Sequence, residues 1–409
     1  MKNLRWGIAA LLFLATVINY IDRQTLSVVA PVLTRELGIS NVEYANILTA
    51  FLVPYTVMYI FSGMLVDRWG TRRALGTFMA WWSAANALHS VARGAFGLGA
   101  FRFLLGLGES GNFMAAEKAI SEWFPAKERA VANGLINAAA ATGAIISPPL
   151  IAWVTLQFGW RAAFVITGLL GFVWLAVWLT LYELPQRHPR ITSEERALIL
   201  AGRTEGSRER IPYRELLRSP QVWGLLVSRV FADPVWWFYL FWLPKYLQDV
   251  RHFTLAEIGM IAWMPYLSAD LGSIGGGWLS GRLVARGIPV LQARRWTMIP
   301  AALLMPVGIL VAYLPSAPAL AVICLVTFGH MAWKTNLMTM TNDIFPTRIV
   351  GSAAGVVGLG SGLAGAISTP LVGRIVDSVG YSGVFWVMGF LHPIAMAIVL
   401  ILVRRRLTD

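Results

Sequence analysis

The sequence predicts an all-α membrane protein with twelve transmembrane helices in two pseudo-symmetric halves of six. Three observations carry that expectation. Of the 409 residues, 57% are hydrophobic and only 13% are charged, against about 45–50% and about 25% in an average soluble domain. Twelve helices of ~20 residues need about 240 positions, close to the hydrophobic total. The third observation is an internal repeat. Phe124-Pro125 recurs as Phe345-Pro346, Gly134 as Gly355, Ser147 as Ser368, Pro149 as Pro370, Gly159 as Gly380 and Phe164 as Phe385, each pair 221 positions apart. The composition excludes a water-soluble enzyme, a disordered chain and a collagen-like fibre.

The apolar runs fall, in order, at 6–32, 42–66, 74–93, 96–123, 128–156, 160–182, 219–248, 255–282, 294–314, 317–344, 348–376 and 380–403. Each is long enough to cross the hydrocarbon, some with tilt. The first begins after Lys2 and Arg5, like a secretory signal. It is too long for an h-region, holds Asp22-Arg23 and lacks a small-residue cleavage site, so it is read as the first span.

A formal charge of +13 and a pI near 10.3 would suit a nucleic-acid partner. Here the cations cluster instead in alternate short gaps: Lys2/Arg5, Arg68/Arg72/Arg73, Lys127/Arg129, the segment 183–218, Arg282/Arg286/Arg294/Arg295, Arg348 and Arg404/Arg405/Arg406. That pattern is an orientation signal facing an anionic leaflet and places both termini in the cytoplasm, in a cell inner membrane. The stretch 183–218 carries eight Arg and six Glu with several prolines. It divides the chain into an N-terminal half (1–182), a cytoplasmic linker (183–218) and a C-terminal half (219–409). Parallel repeats of this kind build secondary transporters, with the binding site near the bilayer midplane. Cys324 is the only cysteine, and none of the five His forms an H-E-x-x-H pair. No disulfide, metal, cofactor or nucleophile–base pair is therefore expected.

The gap after the second span reads Gly63-Met64-Leu65-Val66-Asp67-Arg68-Trp69-Gly70-Thr71-Arg72-Arg73. This resembles the G-x-L-x-D-R-x-G-x-R-R signature of the major facilitator superfamily. A degraded copy, Gly277 to Gly287, follows span 8, with Arg282 retained and Gly281 where the acid should be. Gly63 is expected to permit close helix approach. Asp67 is expected to accept charge-assisted bonds from a neighbouring helix end or Arg, as a gating latch with Arg68, Gly70, Arg72, Arg73 and Arg282. A topogenic basic loop with one chance Asp is the plainer alternative.

Ionisable groups near the bilayer centre cost about 2.5–3.5 kcal/mol on insertion scales, so they persist where paired, hydrated or used. Span 1 holds Asn19-Tyr20-Ile21-Asp22-Arg23, and span 4 runs from Arg102 to Glu109 and Asn112. Seven residues are almost two turns, so Arg102 and Glu109 share a helix face. Arg102 is expected at a depth where it could meet Asp22.

These two stretches, with Ala232 to Leu247, resemble the anion:cation symporter branch of the superfamily over nearly the whole chain. That branch includes hexuronate and aldonate permeases, sialin and the vesicular glutamate transporters, and the hexuronate permeases match best. The resemblance implies import of a small organic anion with protons: Asp22 and Glu109 couple the proton, and Arg23 and Arg102 hold the anion. The substrate would be a hexuronate first and an aldonate or aldarate second. A buried ion pair that merely holds helices 1 and 4 together is the structural alternative.

Further binding candidates are Tyr20 and Tyr55, by hydrogen bonding or simple ring packing, Asn112, Trp237, Lys334 and Asn336. Trp236, Trp237 and Tyr239 suit core, lipid or sugar stacking equally. Arg229 and Asp233 lie one turn apart, and Lys334 could attract an anion or pair with Asp233. Gly358 stands where relatives often place Asn, which leaves the sugar's identity open. The partners expected are the anion, protons and the bilayer, with the protein a monomer. The rival readings are an organophosphate/phosphate exchanger, disfavoured by Glu109, and a non-transporting membrane sensor.

Overall fold

The computed structural model describes residues 3–201, 217–345 and 350–403, without the side chains of 59, 60, 126, 127, 130, 200, 201 and 350–352. Lys2, Pro346, Arg348, Arg404, Arg405, Arg406, the Lys127 side chain and the 202–216 portion of the linker lie outside the described residues.

Six helical rods come first: α1 (Leu4–Leu37), α2 (Asn41–Trp69), α3 (Thr71–Leu88, prolonged by a 3-10 turn), α4 (Ala95–Glu109) running into α5 (Gly111–Trp123), α6 (Ala126–Phe158) and α7 (Trp160–Leu181). A short helix, α8 (Ser193–Ala201), lies in the linker. Six more rods follow: α9 (Pro220–Asp249), α10 (Leu255–Ile261) leading into α11 (Met264–Ala285), α12 (Val290–Leu304) continued by a 3-10 segment, α13 (Ser316–Ile344), and α14 (Val350–Leu402), itself two helices meeting at Gly380. No β-strand occurs among the described residues. This is the all-α, twelve-rod fold the apolar runs predict.

Six helical segments are long and apolar enough to cross a membrane on length and composition alone, α7 with a mean hydropathy of 2.2. The helix α9 carries the charges Arg229, Asp233 and Lys245 along its buried face. Along α7 the buried face is Ala163, Thr167, Gly171, Trp174 and Trp178, while Leu169, Leu170 and Val173 are exposed. With no water in hydrocarbon, a helix satisfies its own backbone, which frees an apolar face to meet lipid.

The 221-residue repeat has a conformational basis. Gly159 joins α6 to α7 at φ 83°, and Gly380 breaks α14 at φ 74°. Both lie in the region that L side chains avoid, so only glycine turns one rod into the next there without strain. Phe124 and Phe345 likewise end α5 and α13 in extended conformation.

The chain forms two compact units. One gathers residues 3–40, 46–201 and Phe253–Trp263; the other gathers 41–45, 217–252 and the described residues from Met264 onward. In the first, α1 packs on α6 and α7, and α3 packs on α4 and α7. In the second, α9 packs on α14 and α11 on α13. The α11–α13 contact is close because Gly276 meets Ala332 where a Cβ would come within 2.7 Å of its Cα.

Candidate functional site

The charges predicted inside spans 1 and 4 meet in the first unit. Arg23 Nε donates to Glu109 Oε2 at 2.8 Å, and both side chains are almost wholly buried. Arg23 Nη2 donates to Asn19 Oδ1 at 3.3 Å, one turn back on α1. The rings of Tyr20 and Tyr55 face the same guanidinium, with centroids 4.9 and 4.8 Å from Cζ. Both rings present their π faces to the cation. Phe51 adds a third ring at 5.4 Å.

Arg102 is buried and joins the cluster from α4. Its Nη2 donates to the backbone carbonyl oxygen of Arg23 at 3.0 Å. A long, rigid fork reaches that carbonyl across the helix pair, and so ties α4 to α1 beside Asp22. The Asp22 carboxylate accepts from another side chain, Asn86 Nδ2 on α3, at 2.7 Å. The same amide nitrogen lies 2.7 Å from Thr167 Oγ1 on α7. Asp22, Asn86 and Glu109 are all 0% exposed.

Asn112 is also fully buried, and its Nδ2 donates to Thr16 Oγ1 at 3.0 Å, joining α5 to α1. Asn86 and Thr167 were missed by the reading of sequence. Their only signal is a polar side chain in the middle of an apolar run, which is weaker than a charge.

The second unit holds its own cluster. Arg229 pairs with Asp233 at 2.9 Å along α9, as their spacing suggested. Lys334 lies with Nζ 5.7 Å from the Trp236 ring centroid. Trp237 and Asn336, both expected at the substrate, also lie in this unit. Trp237 is 7% exposed, and its Nε1 donates to the Ser361 carbonyl oxygen at 2.8 Å. Asn336 donates to the carbonyl oxygens of Gly276 and Ala332 at 3.1 and 2.9 Å, which fastens α13 to α11. Trp236, by contrast, is half-buried and stacks nearly parallel to His330. His330 Nδ1 and His392 Nε2 stand 3.0 Å apart, one donating to the other, and both rings are fully buried. That histidine pair was not foreseen, because 62 residues separate its members.

At the signature, Asp67 bonds to Lys118 Nζ of α5 at 2.9 Å, and Lys118 also donates to the Val66 carbonyl oxygen. The expected partner was a neighbouring helix end or an Arg; the partner found is Lys118, which the sequence reading did not foresee. Arg72 turns to Glu183 at 3.1 Å, Arg68 and Arg73 are exposed, and Arg282 lies over the Trp278 ring at 5.3 Å. Gly70 starts α3 at φ 76°. The expectation for Gly63 is corrected: a Cβ there would meet nothing within 4 Å, so close helix approach is not what this glycine provides. Where the second copy lacks the acid, Arg294 bonds Asp343 at 3.0 Å and Ser280 Oγ at 2.6 Å.

Twelve helical rods with buried charge gathered inside each unit define a multi-pass membrane protein, and its family and relatives make it a transport protein. The chain belongs to the Major Facilitator Superfamily, whose family model matches residues 12–332 and 291–409. It is 35% identical to the hexuronate transporter of Escherichia coli (strain K12) over 395 residues, 95% of this chain and 91% of the relative. It is 37% identical to the galacturonate transporter of Dickeya chrysanthemi over 283 residues, 68% of this chain and 82% of that one. Among solved structures, a D-xylose-proton symporter superposes with a TM-score of 0.77 at 16% identity, covering 98% of both chains, which speaks for the fold alone.

Proposed function

We propose that the protein is a proton-coupled symporter that imports a hexuronate, such as glucuronate or galacturonate, or a related aldonate or aldarate, by alternating access. The observation that carries this reading is the buried Arg23–Glu109 pair, with Asp22 beside it on a separate donor. A guanidinium is permanently charged and presents a planar fork matched to a carboxylate. While Glu109 is ionised, it occupies the Nε side of that fork. A proton on Glu109 cancels the attraction and leaves the guanidinium to the carboxylate of the substrate. Anion and proton then enter the cluster together, and its net charge stays nearly constant, as a low-dielectric interior requires.

Asp22 is the second proton-binding group in this scheme, and Arg102 holds the backbone at Arg23 so that the guanidinium keeps its aim. The Asp67–Lys118 pair serves as the latch that breaks and reforms during the cycle. The protein works as a monomer in a cell inner membrane with both termini in the cytoplasm, an orientation supported by the arginine-rich gaps. The sugar-acid names of the aligned relatives support the substrate class.

The experiment is uptake of radiolabelled glucuronate and galacturonate into proteoliposomes with an imposed pH gradient. Accumulation beyond equilibrium, abolished by a protonophore, is expected. Exchange driven only by preloaded inorganic phosphate would overturn the proton coupling in favour of an exchanger.

A further inference from the structure

We infer that the second unit carries a subsite for the hydroxylated ring of a cyclic sugar acid, with the ring face on Trp236 and ring hydroxyls on the Lys334 ammonium. This rests on the sugar-acid reading above and narrows it to the hexuronates, against the open-chain aldonates and aldarates. From Ala232 to Leu247 every residue of α9 is buried except Trp236. A helix that faces lipid exposes a stripe, as α7 does with Leu169, Leu170 and Val173. Over this stretch α9 opens at one indole instead, which marks a local recess rather than a lipid-facing side.

Lys334 stands at the same recess. Its Nζ lies over the Trp236 ring, 5.7 Å from the centroid. The side chain is half-buried, and among the described residues nothing accepts a hydrogen bond from it and no carboxylate pairs with it. Asp233, whose charge acts on Lys334, gives its Oδ2 to Arg229 Nε at 3.0 Å and Nη2 at 2.9 Å. An ammonium offers three N–H donors and no acceptor. Sheltered donors are kept where something accepts from them, and hydroxyl oxygens do so.

The indole is held in place by other rings. His330, one turn before Lys334 on α13, lies nearly parallel to it at 6.0 Å, and Tyr266 of α11 meets it edge-on at 6.2 Å. His330 is fixed in turn by His392 of α14 at 3.0 Å, and Trp333 packs edge-on against His392 at 5.3 Å. The outer nitrogens of the pair, His330 Nε2 and His392 Nδ1, have no partner among the described residues. The one bond between the imidazoles therefore sets the ring that supports Trp236, and both are positioning residues. A flat aromatic face with a few donors at its edge is how a small-molecule site combines contact area with orientation. A pyranose has a C–H face to lay on the indole; an open-chain acid has the hydroxyls without the face.

Isothermal titration calorimetry on the full-length protein in detergent, with galacturonate and open-chain galactonate, is the test. The wild type is expected to bind galacturonate more tightly. Trp236→Leu is expected to weaken galacturonate about fivefold and leave galactonate unchanged. Lys334→Met is expected to weaken both acids about tenfold, and Lys334→Gln, which keeps N–H donors, to recover most of that loss. His392→Leu is expected to repeat the pattern of Trp236→Leu, and supplies the same reading where Trp236→Leu does not fold. His392→Gln, whose amide nitrogen can stand where Nε2 does, is expected to restore the preference between the two acids, which a merely structural pair would not move. Melting temperatures identify the folded variants. Galacturonate bound at wild-type strength by folded Trp236→Leu and Lys334→Met overturns the subsite. A loss in Trp236→Leu equal for both acids, or a wild type that prefers galactonate, overturns the ring form. Equal losses in Lys334→Gln and Lys334→Met overturn the hydroxyl assignment. A wild type that binds neither acid overturns the sugar-acid reading itself, and the subsite falls with it.

Discussion

Asn86 donates its side-chain amide to Asp22 at 2.7 Å, and neither residue has any exposed surface. The carboxylate beside Arg23 is therefore held by a neutral group on α3, while the guanidinium is held by Glu109 of α4. Two acids, one on α1 and one on α4, thus have different hydrogen-bonded partners.

Asn86→Leu leaves the buried Asp22 oxygen without its donor, a loss of about 1–3 kcal/mol. The expected outcome is a lower melting temperature and weakened uptake. Asn86→Asp should be worse on both counts, because it sets two carboxylates within hydrogen-bonding distance. Differential scanning fluorimetry with parallel uptake assays checks both.

Glu109→Gln leaves Arg23 as a buried cation without its counter-ion, which costs about 3–5 kcal/mol when one partner of such a pair is removed. Uphill accumulation should disappear while exchange of substrate across the membrane persists. Adding Arg23→Gln should restore part of the stability and abolish exchange. A double-mutant cycle on melting temperature, read beside counterflow, separates the pair's structural part from its part in transport.

The Asp67–Lys118 pair is half-exposed, with side-chain exposures of 53% and 25%, so it contributes at most about 1 kcal/mol to stability. Asp67→Asn and Lys118→Met should leave the melting temperature within a few degrees of wild type. Transport rate should nevertheless fall at least about tenfold if the bond is a latch, with equilibrium binding of sugar acid unchanged. A loss of binding equal to the loss of rate would count against the latch.

Trp236 and Trp237 are neighbours in sequence with opposite surroundings. Trp236→Leu should raise the KM for sugar acid about fivefold, the value of one aromatic contact near 1 kcal/mol. Trp237→Leu should instead lower the melting temperature, because it empties a buried site and frees the Ser361 carbonyl oxygen from its donor. Transport kinetics on the two variants, each checked for folded yield, decides between them.

The fold and much of the first cluster were legible in the order of residues. Twelve apolar runs, a constant repeat and charges stranded within spans each follow from one local fact: hydrocarbon admits helices readily and ions reluctantly. Asp22, Arg23, Arg102 and Glu109 stood out for that reason. Partner choice did not, because it depends on which helix faces come together. Spacing along α4 put Arg102 and Glu109 on one side, but only the packing of α1, α3 and α4 sent Glu109 to Arg23, Asn86 to Asp22 and Arg102 to a backbone carbonyl. The same holds for Lys118 with Asp67 and for His330 with His392, joined across 51 and 62 positions. Gly63 and Gly276 look alike in a sequence, yet one borders open space and the other a neighbouring backbone. Sequence determined what crosses the membrane and which groups must be sheltered there. Tertiary structure decided who shelters whom, since hydrogen bonds and ion pairs act over a few ångströms and only the folded chain sets those distances.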